Sequence, residues 1–196
     1  MKDLSNRVAI VTGSSSGVGA ATAKLLAQQG CHVVINYNSN QAGAEAVVAA
    51  CEAEGAETLM IQANVADDAD CQAMVAAALE KWGRVDVLVN NAGTTKFVDH
   101  QDLHGLDKSD FQRIYEVNVI GAYQMIRAVA EPMQQQEEGG VVVNVASTAG
   151  ITGIGSCVAY AASKGAMVTL TLSLAGHWAR RCASMPFARD LLKVTG

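Results

Sequence analysis

Short apolar runs alternate along this chain with longer stretches in which apolar residues recur every three or four positions. The runs "RVAIVTG", "HVVINY", "ETLMIQANV", "RVDVLVNNAG" and "GGVVVNVAS" read as five strands. Helices are predicted from Gly17 to about Gln29, from Gln41 to Glu54, over "DADCQAMVAAALEKW", and from Ala159 to about Ala175. A further long helix runs to about Gln134, with Ser109 and Gln112 spaced as a capping box. Gly30, Gly55 and Gly83 follow three of these helices, where a left-handed residue ends a helix at little cost. Val- and Ile-rich strands that are apolar on both faces belong to a parallel sheet covered on each side. Their alternation with helices predicts right-handed βαβ units and a doubly wound, Rossmann-type α/β sheet, with ligands at the carboxyl ends of the strands. Residues 1–175 form this one domain. From Gly176 the pattern stops, and 176–196 read as an aberrant tail rather than a domain.

Composition narrows the partners. The formal net charge is −5 with no basic run, which argues against nucleic acid and anionic membrane surfaces. No apolar run approaches the ~20 residues that span a bilayer, and the N-terminus enters a strand directly, without a signal peptide. Cys31, Cys51, Cys71, Cys157 and Cys182 are scattered, as expected of reduced thiols in a cytoplasmic protein. His100 and His104 are four residues apart near Asp99, Asp102 and Asp107, but a solvated loop accounts for them better than a metal site.

Four features carry chemistry. "TGSSSGVG" lies between the first strand and first helix. Gly13 permits a tight turn, while Gly17 and Gly19 let backbone and helix N-terminus approach a pyrophosphate. Taken alone, it is also a plain tight turn, and its G-x-x-x-G-x-G spacing departs from G-x-G-x-x-G. "NNAG", Asn90 to Gly93, ends the fourth strand, where small residues admit a flat ligand or polar ones satisfy backbone groups. "YAASK" places Tyr160 and Lys164 on one face of a helix, where an ammonium favours the phenolate. Ser147 ends the fifth strand, and a loop of that length can bring its hydroxyl beside the phenol. Asn118 lies on the helical stripe of Phe111, Tyr115, Ala122 and Met125 and needs partners if buried.

The order and spacing of TGSSSGVG, NNAG, Asn118, Ser147 and YAASK resemble the short-chain dehydrogenase/reductases over Asn6 to Ala175. The resemblance implies an NAD(P)-dependent oxidoreductase that interconverts a carbonyl and an alcohol. By it, Tyr160 is the general acid/base and Ser147 hydrogen-bonds the substrate oxygen. Lys164 binds the nicotinamide ribose and lowers the Tyr160 pKa, and Asn118 holds a water in a proton relay. It also implies dinucleotide contacts at Gly13, Ser15, Ser16, Gly17, Val18, Gly19, Tyr37, Asn38, Asn64, Val65, Asn90, Asn91, Ala92, Gly93, Tyr160 and Lys164. Tyr37 and Asn38 present no carboxylate to a 2′-phosphate, which favours NADP over NAD, although Ser16 stands where relatives that use NADP often have Arg. Gly150 to Cys157, with Thr94 and Thr95, should line the substrate pocket. The pattern resembles 3-oxoacyl-acyl-carrier-protein reductases most, with sugar or polyol (glucose-like) dehydrogenases as the alternative. A homotetramer or homodimer is implied for a chain with an intact C-terminus, with the helices bearing Asn118 and Tyr160 packed across an interface.

The tail departs from that family. Residues 176–196 hold four basic residues and one acid, while 1–175 are strongly acidic. Read one base out of register, the codons permitted from Gly176 onward can encode a stretch containing "RVNAVCPG", which resembles the family's next strand and Pro-Gly turn. A single-base deletion at or beside codon 176, in the gene or in the read, explains this. The chain as written is then expected to be poorly soluble, with impaired or absent turnover, or to be an inactive product that only binds dinucleotide.

Overall fold

The computed structural model describes residues 4–177. They divide into two compact units, one made of residues 4–92 and 121–143, the other of 93–120 and 144–177.

The first unit is built on a parallel sheet. Its strands are β1 (Val8–Val11), β2 (His32–Tyr37), β3 (Thr58–Gln62), β4 (Val87–Asn90) and β5 (Val141–Asn144), in the order β3-β2-β1-β4-β5. β1 pairs in parallel with β2 and β4, with Val11 opposite Ile35 and Val89. All four residues of β1 are fully buried, as a central strand covered on both faces requires. The covering helices are α1 (Gly17–Gln28), α2 (Gln41–Glu52), α3 (Asp68–Trp82) and α5 (Gly121–Gln135). Ala23 and Ala27 of α1, and Ala44 and Val47 of α2, bring backbone close to the sheet. The doubly wound α/β class expected from the pattern is the fold observed.

The second unit holds α4 (Lys108–Tyr115), a π-helical turn (Glu116–Ile120), a short helix α6 (Ala149–Thr152) and α7 (Val158–His177). Ile114, Cys157 and Ala159 are its fully buried centre, with Val98, Leu106 and Tyr160 packed against them.

Three expectations need correction. The capping box is two residues earlier than expected. Asp107 accepts from the Asp110 N–H at 3.0 Å, and Asp110 returns a bond to the Asp107 N–H. Ser109 instead donates its hydroxyl to the Asp107 carboxylate, because aspartate is the stronger acceptor. The long helix is also not one regular α-helix, since the π-helical turn carrying Asn118 follows α4. Finally, Val158–Gly176 is 19 residues long with mean hydropathy 1.2, enough to cross a membrane by length and composition alone. Counting uninterrupted apolar runs missed it because Ser, Thr and Lys punctuate the helix. Those same residues tie α7 into its own unit. Lys164 donates to the Val145 carbonyl at 2.8 Å and Asn144 donates to Thr171 at 2.9 Å. Helix α7 also continues through Gly176 and His177, past the expected break. The remainder of the tail, including Cys182, lies outside the described residues.

Candidate active site

In the first unit the glycine turn is held from below by side chains. Asn36, buried within β2, accepts the Gly13 N–H at 2.9 Å through its carboxamide oxygen and donates to the Ala63 carbonyl at 3.0 Å. Ser14 reinforces the link, accepting from the Asn36 N–H at 2.9 Å. Asn36 therefore fastens the turn to the ends of β2 and β3. The sequence reading passed over it, although a lone amide inside "VVINY" was a signal. Thr12 supplies the second fastening, since its hydroxyl accepts the N–H groups of Asn91 and Ala92, both at 3.0 Å.

The three glycines of the turn do different work. A Cβ on Gly13 would lie 2.9 Å from the Ala92 Cα, and one on Gly19 would lie 2.4 Å from Asn91 Nδ2 and 2.6 Å from the Gly13 carbonyl. Gly19 thus makes room for the Asn91 amide and the Gly13 carbonyl. Gly17 has φ +55° with open space around it, so backbone conformation alone demands glycine there.

This arrangement fits a dinucleotide phosphate. Helix α1 begins at Gly17 with no acidic residue in its first turn, and Ser16 makes no side-chain cap. Ser16, Gly17 and Val18 are exposed. The first N–H groups of a helix without a cap are suited to a phosphate.

The other expected dinucleotide contacts vary in what they can offer. Asn91 donates to the carbonyls of Thr12 and Gly13 at 2.9 and 3.1 Å, and Asn90 donates to the Ala122 carbonyl at 3.2 Å, so both amides brace the protein. The Ser15 carbonyl accepts from Asn40, and Tyr37 is nearly buried, while Asn38 is exposed. Asn64 is exposed, with its side-chain oxygen on the Ala66 N–H at 3.1 Å. Val65 is buried, and its carbonyl accepts from Gln124 at 2.8 Å.

In the second unit, one turn of α7 carries both Tyr160 and Lys164. The Lys164 ammonium stands 5.8 Å from the centre of the Tyr160 ring. Lys164 is 4% exposed, and burial draws its pKa below the ordinary lysine value. Ser147 lies in the loop before α6, its hydroxyl accepting the Ala149 N–H at 3.2 Å. Gly150, in α6, lets that short helix lie on α7, since a Cβ there would be 2.5 Å from the Lys164 carbonyl carbon and 2.6 Å from the Gly165 nitrogen. The ring of Tyr160 passes beside Gly155, whose Cβ would stand 3.4 Å from its Cδ1.

Asn118 is fully buried. Its oxygen accepts the Thr94 N–H at 2.7 Å, and its nitrogen donates to the Thr94 carbonyl and the Ser163 hydroxyl, both at 3.0 Å. Thr94 is fixed again by Arg113, which donates to its hydroxyl at 3.0 Å. Residues 95–100 then run beside the expected substrate segment. The Thr95 and Ser156 hydroxyls bond each other, the Val98 N–H donates to the Ser156 carbonyl at 3.0 Å, and His100 bonds the Gly155 carbonyl at 3.1 Å. Ser163 is the residue of this unit that sequence reasoning missed.

Known proteins of similar sequence and fold identify the family. A 3-oxoacyl-[acyl-carrier-protein] reductase of Synechocystis and an uncharacterized oxidoreductase of Methylorubrum extorquens are each 37% identical over 181 residues, covering 92% of this chain and 72% and 71% of their own lengths. A solved structure from Burkholderia xenovorans, assigned to the short-chain dehydrogenase/reductases, is 45% identical with a TM-score of 0.85, covering 90% of this chain and 72% of that one. Residues 7–183 match the short chain dehydrogenase family, and the chain belongs to that family of oxidoreductases.

Proposed function

We propose that the chain is built for the NADP-dependent reduction of a 3-oxoacyl thioester or a related ketone to the corresponding alcohol. The observation that carries this is the pairing of Tyr160 with a buried Lys164 on one turn of α7, beneath the loop that holds Ser147. The choice of substrate rests on relatives named 3-oxoacyl-[acyl-carrier-protein] reductase.

A bound nicotinamide dinucleotide supplies hydride in such a reaction. The protein's own residues manage the proton and the oxygen. Tyr160 gives its phenolic proton to the oxygen as the carbonyl is reduced, and takes one back in the reverse direction. The Ser147 hydroxyl donates a second hydrogen bond to that oxygen and stabilises its developing charge. Lys164 is held by the Val145 carbonyl, with further ammonium protons available for a ribose hydroxyl. The glycine turn and uncapped start of α1 hold the phosphates, with adenosine contacts at Tyr37, Asn38, Asn64 and Val65. NADP is preferred because Tyr37, Asn38, Ser39 and Asn40 include no carboxylate to repel a 2′-phosphate.

The exposed apolar residues Phe111, Ile120 and Leu172 support assembly into a homo-oligomer through this unit. The buried thiols of Cys31, Cys51, Cys71 and Cys157 suit a cytoplasmic location, and burial pushes Cys31 to about 11 and Cys71 to about 12.

The test is a single-turnover assay at high protein concentration. The chain is mixed with NADPH and an acetoacetyl thioester, and separately with NADP and a polyol. Slow loss of nicotinamide absorbance with the thioester, absent in Tyr160→Phe, is expected. Reaction of the polyol alone would transfer the assignment to the polyol dehydrogenases. Undiminished reaction in Tyr160→Phe would remove Tyr160 from its role.

A further inference from the structure

We infer that Ser163 is a positioning residue for Tyr160, acting through a buried hydrogen-bond chain that runs from the Thr94 backbone to the Tyr160 backbone. The inference rests on the reading of Tyr160 as the acid/base. Ser163 and Asn118 are both 0% exposed, shielded from bulk solvent. Asn118 spends one amide proton on the Thr94 carbonyl and the other on Ser163 Oγ, while its oxygen takes the Thr94 N–H. Both donors and the acceptor are committed, which fixes the orientation of the carboxamide. Because Ser163 accepts from Asn118, its own proton goes to the Tyr160 carbonyl, 2.7 Å away.

That last bond reaches back three residues within the first turns of α7. Serine bonds of this kind compete with regular helical bonding and bend the helix locally. Here the bond is made to the residue that bears the phenol. On its other sides Tyr160 is held by a bond from its N–H to the Cys157 sulfur at 3.4 Å, and by the close passage of its ring past Gly155. Ser163 therefore couples the Tyr160 backbone to Asn118 and, through it, to Thr94. Alanine at this position leaves an Asn118 amide proton unpaired in a buried site and releases the turn.

The test uses the full chain with carbon-13-labelled tyrosine. Its four tyrosines give separate ring signals, and Tyr160→Phe assigns that of Tyr160. In Ser163→Ala the Tyr160 signal is expected to shift or split while those of Tyr37, Tyr115 and Tyr123 stay in place. In Ser163→Thr, which keeps the hydroxyl, it is expected to return. Single-turnover rate should fall by at least about tenfold in Ser163→Ala with dinucleotide affinity unchanged, because small displacements of an acid/base group are costly. An unmoved Tyr160 signal in folded Ser163→Ala overturns the inference, as does failure of Ser163→Thr to restore it. If Ser163→Ala does not fold, Ser163→Cys carries the same test through its weaker hydrogen bonding. Should no carbonyl be reduced even by the unaltered chain, the proposed reaction fails, while the ring signal still decides the positioning role.

Discussion

The side-chain amide of Asn118 brackets the backbone of Thr94, accepting from its N–H at 2.7 Å and donating to its carbonyl at 3.0 Å. No other arrangement of that amide satisfies both backbone groups at once. Asn118→Ala is therefore expected to strand the Thr94 N–H and carbonyl in a buried site and to remove the donor to Ser163 Oγ. We expect a loss of about 2–4 kcal/mol in urea unfolding, with the strongest loss of amide-exchange protection at Thr94. A loss within about 0.5 kcal/mol, the range of ordinary surface changes, would mean the bracket is not formed in solution.

The division of labour among the turn glycines gives a paired prediction. Gly19→Ala must push aside the Asn91 amide and also the Gly13 carbonyl, which is backbone and cannot swing away. It should lose about 1–3 kcal/mol and weaken dinucleotide binding at least about tenfold, because the turn itself moves. Gly17→Ala meets no atom and pays only for a left-handed alanine, roughly 1–2 kcal/mol. Isothermal titration with NADPH beside urea melts separates the two, and equal effects would contradict the assignment.

Much of this was legible in the chain, and the misses share a cause. The parallel sheet was readable because β1, β2 and β4 are nearly uninterrupted apolar runs, and their period is set by burial on both faces. Tyr160, Lys164, Ser147 and Asn118 stood out because reactive or amide side chains occur there at helical spacing or at a strand end. Asn36, Thr12 and Ser163 did not stand out. Asn36 and Thr12 bond backbone groups far away in sequence, and Ser163 accepts from the distant Asn118 side chain; hydropathy carries no record of such bonds. The π-helical turn was equally hidden, since the apolar stripe through Tyr115, Asn118 and Ala122 looks the same for either helix. The earlier capping box was a matter of ranking: Asp107 and Ser109 both fit, and only geometry shows which accepts the Asp110 N–H.

Gly150 is the point at which α6, next to the Ser147 loop, rests on α7. A Cβ at this position would be 2.5–2.7 Å from three backbone atoms of Lys164 and Gly165 in α7. Helix backbone does not yield, so Gly150→Ala should lift the Ser147 loop off α7. We expect loss of carbonyl reduction by about a hundredfold with NADPH affinity retained, because Ser147 is displaced from the substrate oxygen while the glycine turn is untouched. Equal loss of NADPH affinity, measured by titration, would show that the substitution had unfolded more than the loop.

Asp86 anchors the start of the sheet, and its response to acid can be worked out in sign. The side chain is 7% exposed and takes bonds from Arg84 at 2.6 and 2.8 Å, from the Val8 N–H at 2.9 Å and from Arg7 at 3.1 Å. Burial alone raises its pKa, but the bonds from Arg84, Val8 and Arg7 outweigh it and hold the carboxyl below its ordinary value. A carboxyl depressed in the folded state contributes stability that is fully present above its unfolded pKa of about 3.9, and that is lost as pH falls through the folded value. Asp86→Asn should therefore cost about 2–4 kcal/mol at neutral pH, since it takes the carboxylate from Arg84 and leaves Arg7 only Glu138. The difference between the two proteins should stay level down to about pH 4 and narrow below it. Urea midpoints measured across that range decide the matter, and a gap that widened in acid would mean the carboxyl is raised, with burial prevailing over its arginines.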